Sequence, residues 1–365
     1  MYAYPSPSPS PRRRLAELAA AAALGASLAA LWSLDACVRA AQHRDAAHNF
    51  IQADQSLALA RGEALAEALV AASGPTSREL VIARAARPHG AEFLVAVHGT
   101  QRDEWLSAEV INRGEVEGPI LDLLKAQARY LLDAESDADG TEAGQRALHV
   151  VDVGANIGFM SLFLAALSPR VYVTAVEPTP WHYELLELSL RLNPHLAQRI
   201  RLFRTGLGAA GLNRGASLCM RANPKNGAST VATGGKCPRG RGGVTVPVRT
   251  LDDVLAASWD LPVDILKMDV EGYEPMVCDG ATELLATSPS LIVSEYIPFR
   301  VMAAMGLNSS QAAFDAFFAH FPPARYNASI VYQHADTSPQ QSREILRGWD
   351  ADNDGGDVVL RPLSQ

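Results

Sequence analysis

The stretch Val151-Asp152-Val153-Gly154-Ala155-Asn156-Ile157-Gly158-Phe159 decides the fold. An apolar run from Leu148 to Val153 stops at a glycine-rich turn, and the pattern then becomes helical through Met160, Leu162, Phe163, Ala166 and Leu167. Strand, tight turn, helix lets backbone approach a ligand with no Cβ in the way, and aims helix N-terminal N–H groups at it. A second apolar run, Val171 to Val176, ends in Glu177. That places Glu177 about 20 residues past the glycines, where an acid in nucleotide-binding α/β folds accepts hydrogen bonds from ribose hydroxyls. The pattern predicts an enzyme that holds an adenosine-containing cofactor.

The details of the turn decide which cofactor. A dinucleotide turn reads G-x-G-x-x-G, with the second glycine admitting the pyrophosphate. Here Gly154 is the first glycine, but Asn156 and Phe159 occupy the other two positions. A side chain at 156 argues against a pyrophosphate. Acid, x, Gly, x, Asn/Gly, x, Gly instead resembles the first motif of S-adenosylmethionine-dependent methyltransferases. The cofactor-binding residues are then Asp152, Gly154, Asn156, Gly158 and Glu177, with Asp152 facing the amino acid end of the cofactor.

The resemblance narrows downstream. Asp264-Ile265-Leu266-Lys267-Met268-Asp269-Val270-Glu271-Gly272-Tyr273-Glu274 is similar to the D-[IV]-[LI]-K-[IM]-D-[VI]-E-G-x-E signature of FkbM-type methyltransferases. Thr250-Leu251-Asp252-Asp253 resembles that family's approach to the strand, Asn226-Gly227-Ala228-Ser229 its hairpin, and Leu291-Ile292-Val293-Ser294-Glu295 its next strand. The resemblance implies a Rossmann-like methyltransferase fold. Its mostly parallel seven-stranded sheet would carry helices on both faces, and its usual reaction is O-methylation of a hydroxyl.

The alternation of runs agrees with such a sheet. Strands are expected at 148–152, 171–177, 200–204, 263–268, 290–294, 329–332 and 357–360, with an inserted hairpin over 216–248. Two helices are expected between Asp103 and Leu132, broken near Gly114 to Pro119, covering the cofactor. Ligands bind at the carboxyl ends of parallel strands. Asp152, Glu177, Asp269 and Glu295 all fall at such ends.

Methyl transfer from a sulfonium is an in-line displacement, and a hydroxyl acceptor must also lose its proton. Asp269, Glu271 and Glu295 are the expected catalytic residues. Asp269 and Glu271 are close enough in sequence to share a proton or bind a divalent cation. The plainer alternative makes Asp269 structural and Glu271 a cap on a helix starting near Tyr273. Lys267 pairs with a neighbouring carboxylate. His182 is expected on a helix surface and His149 in a structural place. No His/Cys cluster has zinc spacing, and a divalent cation beside the cofactor stays open.

The chain has 365 residues, 48% of them hydrophobic, with a formal net charge of -8. This is enough for a sizeable core, and the charge gives no reason to expect nucleic acid. Arg12-Arg13-Arg14 precedes an uncharged Ala/Leu run from Leu18 to Leu34, which reads as a signal-anchor with the body translocated. The expected organisation is a tail and membrane segment over 1–38, a stem, helical to about Ala86, and pre-core helical region over 39–146, and the methyltransferase domain over 147–365. The body would lie in the lumen of the endoplasmic reticulum or Golgi, or be secreted or organellar if the leader is cleaved. Cys219 and Cys237 flank the hairpin loop and can be bridged in an oxidising compartment. Cys278 reads as a buried hydrophobe. Asn308-Ser309-Ser310 and Asn327-Ala328-Ser329 match the glycosylation sequon. The expected acceptor is a hydroxyl-bearing small molecule or glycan. Two other readings stay open: a methyltransferase-like binding module without turnover, and a nucleotide-dependent oxidoreductase.

Overall fold

The computed structural model of the protein describes residues 60–66, 80–85, 92–99, 103–134, 146–211, 215–222, 229–231, 237, 243–331, 337–349 and 354–363. The expected anchor at 18–34, the start of the stem, Cys37, the acidic linker and the loop at 226–228 lie outside them. Among the described residues no helix is long and apolar enough to cross a membrane. Residues 79–190 with 196–365 form one compact unit, which contains the site described below.

The central sheet has seven strands. β3 (Leu148–Val153), β4 (Val171–Val176), β5 (Ile200–Phe203), β10 (Val263–Met268) and β11 (Leu291–Tyr296) run parallel side by side. β13 (Gly356–Pro362) pairs antiparallel with β11, and β12 (Tyr326–Ile330) antiparallel with β13. The order is β12-β13-β11-β10-β3-β4-β5, so the sheet is mixed, with its antiparallel pairings confined to one side.

Both faces are covered. Val151, Val153, Leu266, Met268 and Ile292 share one buried cluster with Val277, Leu284, Phe314 and Phe317. Those partners come from α6 (Glu274–Asp279), α7 (Thr282–Thr287) and α9 (Ser310–Phe318). Side chains alternate along a strand, so Val150, Asp152, Ile265 and Lys267 face the other way. That opposite face meets α2 (Gly118–Asp133) and α3 (Phe159–Leu167), both packed on β3. α3 is apolar almost all round and buried, as a helix between sheet and further layers must be.

The remaining elements frame this core. α1 (Leu106–Arg113) precedes α2, and α1 ends at Gly114 in a left-handed conformation. The expected break between the two helices falls there. α4 (Pro180–Leu192) follows β4, α5 (Leu251–Ala256) precedes β10, α8 (Pro298–Met305) follows β11 and α10 (Pro339–Arg347) precedes β13. The Thr250-Leu251-Asp252-Asp253 motif works as a clamp. The Thr250 hydroxyl caps α5 by accepting from Asp253 N–H, and the Asp252 carboxylate accepts from Glu283 and Leu284 N–H at the start of α7.

Two expectations need correction. Leu80–Arg84, placed in a helical stem, is a strand, β1, paired antiparallel with β2 (Leu94–His98). It is a short apolar run without alternation in an alanine-rich surrounding, and its strand form rests on pairing with β2 and on packing against α1. The inserted hairpin is a fuller structure: β6 (Gly206–Leu207), β7 (Ser217–Ala222), β8 (Ser229–Val231) and β9 (Val244–Arg249) make a second sheet ordered β6-β9-β7-β8.

The turn after β3 needs its first glycine on two counts. Gly154 has φ +80, and a Cβ there would come within 1.8 Å of the Asp269 carbonyl oxygen. Gly154→Ala is therefore expected to lower stability by at least about 1–3 kcal/mol, read as a lower urea midpoint at unchanged slope. An unchanged midpoint would contradict this packing of turn against β10.

Candidate active site

The carboxyl ends of β4, β3, β10 and β11 open into one cavity of about 170 Å³. Gly154, Ala155, Asn156, Glu177, Lys267, Asp269, Glu271, Glu295 and Arg300 all line it. Trp105, Leu106, Val116 and Glu117 line it from the helices before the core, and Leu218, Met220 and Val231 from the second sheet. Trp105 is fixed there because the buried Asp103 carboxylate accepts from the N–H groups of Trp105, Leu106 and Ser107 at the head of α1.

On the β4 side the acid is tightly held. Glu177 Oε2 accepts from Asn156 N–H at 2.9 Å, tying the end of β4 to the glycine turn. Its Oε1 accepts from the Thr179 N–H and hydroxyl, and His182 Nδ1 lies 3.8 Å away. Burial alone would raise the proton affinity of Glu177, but His182 and Thr179 bring it below the usual carboxylate range. An ionised carboxylate with lone pairs left on the cavity side suits ribose hydroxyls. His182 is buried in this network, not on the helix surface as expected. Asn156 has φ +50, and among the described residues its buried Oδ1 has no hydrogen-bond partner.

At the centre, register does the assembly. Asp152 is paired with Lys267 across β3 and β10, and Asp269, one residue past the end of β10, continues on the face of Lys267. Lys267 Nζ lies 3.8 Å from Asp152 Oδ1 and 3.5 Å from Asp269 Oδ2. Burial would lower the Lys267 proton affinity, but Asp269, Asp152, Glu117 and Asp357 raise it well above the ordinary value. Asp152 Oδ2 accepts from the Ser161 hydroxyl of α3 at 2.6 Å. Asp152 thus faces Ser161 and Lys267 and lies outside the cavity lining. Gly158 is also outside it, and a Cβ there would meet Leu186 at 1.9 Å.

At the β11 side, Arg300 Nη1 binds both oxygens of Glu295, at 3.0 and 2.8 Å, and also pairs with Glu271. Burial, with Asp269 nearby, pushes Glu271 up to about 7 despite Arg300, and raises Glu295 as well. The turn Glu271-Gly272 is left-handed at both residues, φ +60 and +93. A Cβ on Gly272 would strike the Arg300 backbone at 2.4 Å, so only glycine lets the turn approach α8. Glu274 is what holds this turn: its Oε1 accepts from Val270 and Gly272 N–H. The helix begins at Glu274 after Tyr273 with no side-chain cap, so Glu271 is not a capping residue. Among the described residues no group of His, Cys, Asp or Glu is arranged to hold a metal ion.

Of the residues expected from sequence, Gly154, Asn156, Glu177, Asp269, Glu271 and Glu295 meet in one cavity, while Asp152 and Gly158 support it from outside. His149 is structural, held by the Leu261 carbonyl and the Thr174 hydroxyl. Cys219 and Cys237 are joined by a disulfide with Cα atoms 5.4 Å apart, and Cys278 is buried and free. Glu117, Arg300 and Trp105 are additions. Arg300 was findable, one turn beyond the strand ending in Glu295. Glu117 carries no local signal, because only the docking of α2 brings it to the strand ends.

Residues 152–316 match the family model described as the methyltransferase FkbM domain. Over that segment the chain is similar to the FkbM methyltransferase family. Its signature acids Asp269, Glu271 and Glu295 are the ones gathered in the cavity. The chain is 30% identical over 157 residues to methyltransferase sdnD of Sordaria araneosa, covering 37% of this chain and 60% of that protein. It is 32% identical over 124 residues to the AMB antimetabolite synthetase AmbE of Pseudomonas aeruginosa, covering 32% of this chain and 5% of that protein. The chain therefore spans less than two thirds of the length of either relative. A crystal structure of methyltransferase FkbM from Methylobacillus flagellatus KT is 14% identical, with a TM-score of 0.36 over 69% of this chain and 60% of that one.

The buried charges at the floor of the cavity make a sharp expectation. Lys267→Met leaves the fully buried Asp152 without its cation and should cost about 3–5 kcal/mol in chemical denaturation. Adding Asp152→Asn removes the stranded charge and should recover most of that loss. A single substitution as mild as a surface change, or no recovery in the double variant, would contradict the pairing.

Proposed function

We propose that the protein transfers a methyl group from S-adenosylmethionine to a hydroxyl of a glycan or small metabolite. The observation that carries this reading is the single cavity joining a ribose-type acid, Glu177, to the acidic group Asp269, Glu271 and Glu295. When bound, the cofactor supplies an electrophilic methyl group on sulfur. Glu177 and the Asn156 amide suit its polar adenosine groups, and the floor carboxylates suit its positive charge.

The acceptor proton needs a base with proton affinity near the working pH. Glu271, held at about 7, fits that requirement. Asp269 is aimed by Lys267 and is placed to hold the acceptor hydroxyl in line with the methyl group. Glu295 and Arg300 keep Glu271 in position. The apolar wall of Trp105, Leu218, Met220 and Val231 gives the acceptor a dry bed, and an exposed Trp suits a sugar ring as well as an aromatic one.

A lumenal body, anchored through Leu18 to Leu34, belongs to the same proposal. The Cys219–Cys237 disulfide supports an oxidising compartment, and Asn308 and Asn327 of the two sequons are exposed. Carbonate extraction and protease protection on microsomes test the placement. Release by carbonate, or digestion without detergent, counts against it.

Mass spectrometry of glycans and metabolites from cells with and without the protein should show the added methyl group. On an identified acceptor, Asp269→Asn and Glu271→Gln should each cut kcat by roughly 10²–10⁴-fold with little change in cofactor affinity. A base must be deprotonated to act, so wild-type kcat at saturating cofactor should rise with pH through about 7. That acid limb should vanish in Glu271→Gln. A limb that survives the substitution removes Glu271 as the base. Repeating the assay under chelation separates a direct base from a cation held by the same carboxylates.

A further inference from the structure

One carboxylate in the cavity has no role in the reading above. Glu117 stands between α1 and α2 in a left-handed conformation, φ 48, with its carbonyl accepting from Ile120 and Leu121 N–H. The chain is therefore fixed where the side chain enters the cavity. Among the described residues no hydrogen bond or ion pair closes on that carboxylate. The groups that act on it through space are Lys267, Asp269, Asp357 and Asp152.

Those groups share one face of the sheet at its carboxyl edge. Asp152 and Lys267 are paired in register, Asp269 is two residues beyond Lys267, and Asp357 is paired with Glu295. Lys267 is already shared between Asp152 and Asp269. Carboxylates thus outnumber cations where Glu117 hangs. Burial, with Asp269, Asp357 and Asp152, pushes Glu117 up to about 7 against the pull of Lys267. A bound cation would draw it back to the ionised form.

We propose that Glu117 receives the ammonium group of the cofactor's amino acid end. The inference rests on the S-adenosylmethionine reading and adds a residue from outside the matched segment. With the ribose on Glu177 at the end of β4, a cofactor lying across the strand ends reaches β3 and then β10, in the order of the sheet. Its amino acid end arrives over Asp152 and Lys267, beneath Glu117. An ammonium taken out of water there needs an anionic partner, and among the described residues Glu117 is the cavity-lining carboxylate that makes no hydrogen bond or ion pair.

Calorimetry on the full chain with three nucleosides tests this. S-adenosylmethionine and S-adenosylhomocysteine both carry the ammonium, whereas 5′-deoxy-5′-methylthioadenosine lacks the amino acid end. Glu117→Gln should weaken the first two alike, by roughly ten- to a hundredfold. Methylthioadenosine binding should be unchanged, which also reports that the variant is folded. Glu117→Asp, with the charge on a shorter arm, should lose less. Equal loss for all three ligands, loss for S-adenosylmethionine alone, or no loss would each overturn the assignment; the second would place Glu117 at the sulfonium instead. Wild-type protein that binds none of the three would overturn the cofactor reading itself, an outcome distinct from a Glu117→Gln variant that behaves like wild type.

Discussion

A single buried ammonium organises this molecule. Lys267 sits between Asp152 and Asp269 at the ends of two adjacent parallel strands, in a place where any one of the three charges alone would be expensive. The arrangement does not argue for stability as such, since an apolar trio of the same volume could pack as well. What it fixes is register and direction. Slipping β10 by one residue against β3 would turn Lys267 to the opposite face and leave Asp152 stranded. The Asp269 N–H, donating to the Val153 carbonyl, locks the same register from the backbone. The glycine turn, the acidic edge and the aim of Asp269 all follow from that alignment.

The two ends of the cavity differ in how completely the protein satisfies its own groups. Around Glu177 both carboxylate oxygens accept hydrogen bonds, from Asn156 and from Thr179, and the carboxylate is firmly ionised. Around Glu271 and Glu295 one guanidinium serves two carboxylates, both with raised proton affinity. The first end is built to hold something neutral and hydroxylated in one pose. The second can gain or lose a proton at modest cost, which suits chemistry more than binding.

Much of this was legible in the sequence where residues act through their own segment. The strand-turn-helix at 148–167 and the acids at strand ends could be read because alternation and turn chemistry are local. Asn156 and Phe159 in place of glycines were enough to turn the reading away from a dinucleotide. Asp152 stands just behind the cavity lining, which could not be read because the sequence shows the strand end but not the Ser161 hydroxyl on the next helix that its carboxylate accepts from. His182 looked like a surface residue because a helix beginning at Pro180 shows no sign that Glu177 and Thr179 enclose it. β1 and Glu117 were out of reach for one reason: each depends on a partner far along the chain.

The hairpin wall has a consequence for how such a pocket diversifies. Leu218, Met220 and Val231 face the cavity from a small sheet that stands apart from the central one, and a disulfide at Cys219 fastens it from the other side of the strand. The alternate positions of β7 therefore divide the work, with odd places anchoring and even places shaping. Replacing Leu218 or Met220 alters the contour of the pocket while the strands that carry Lys267 and Glu177 keep their own packing. Novelty in what the pocket accepts can accumulate there by single steps, without drawing on the narrow stability margin of the core.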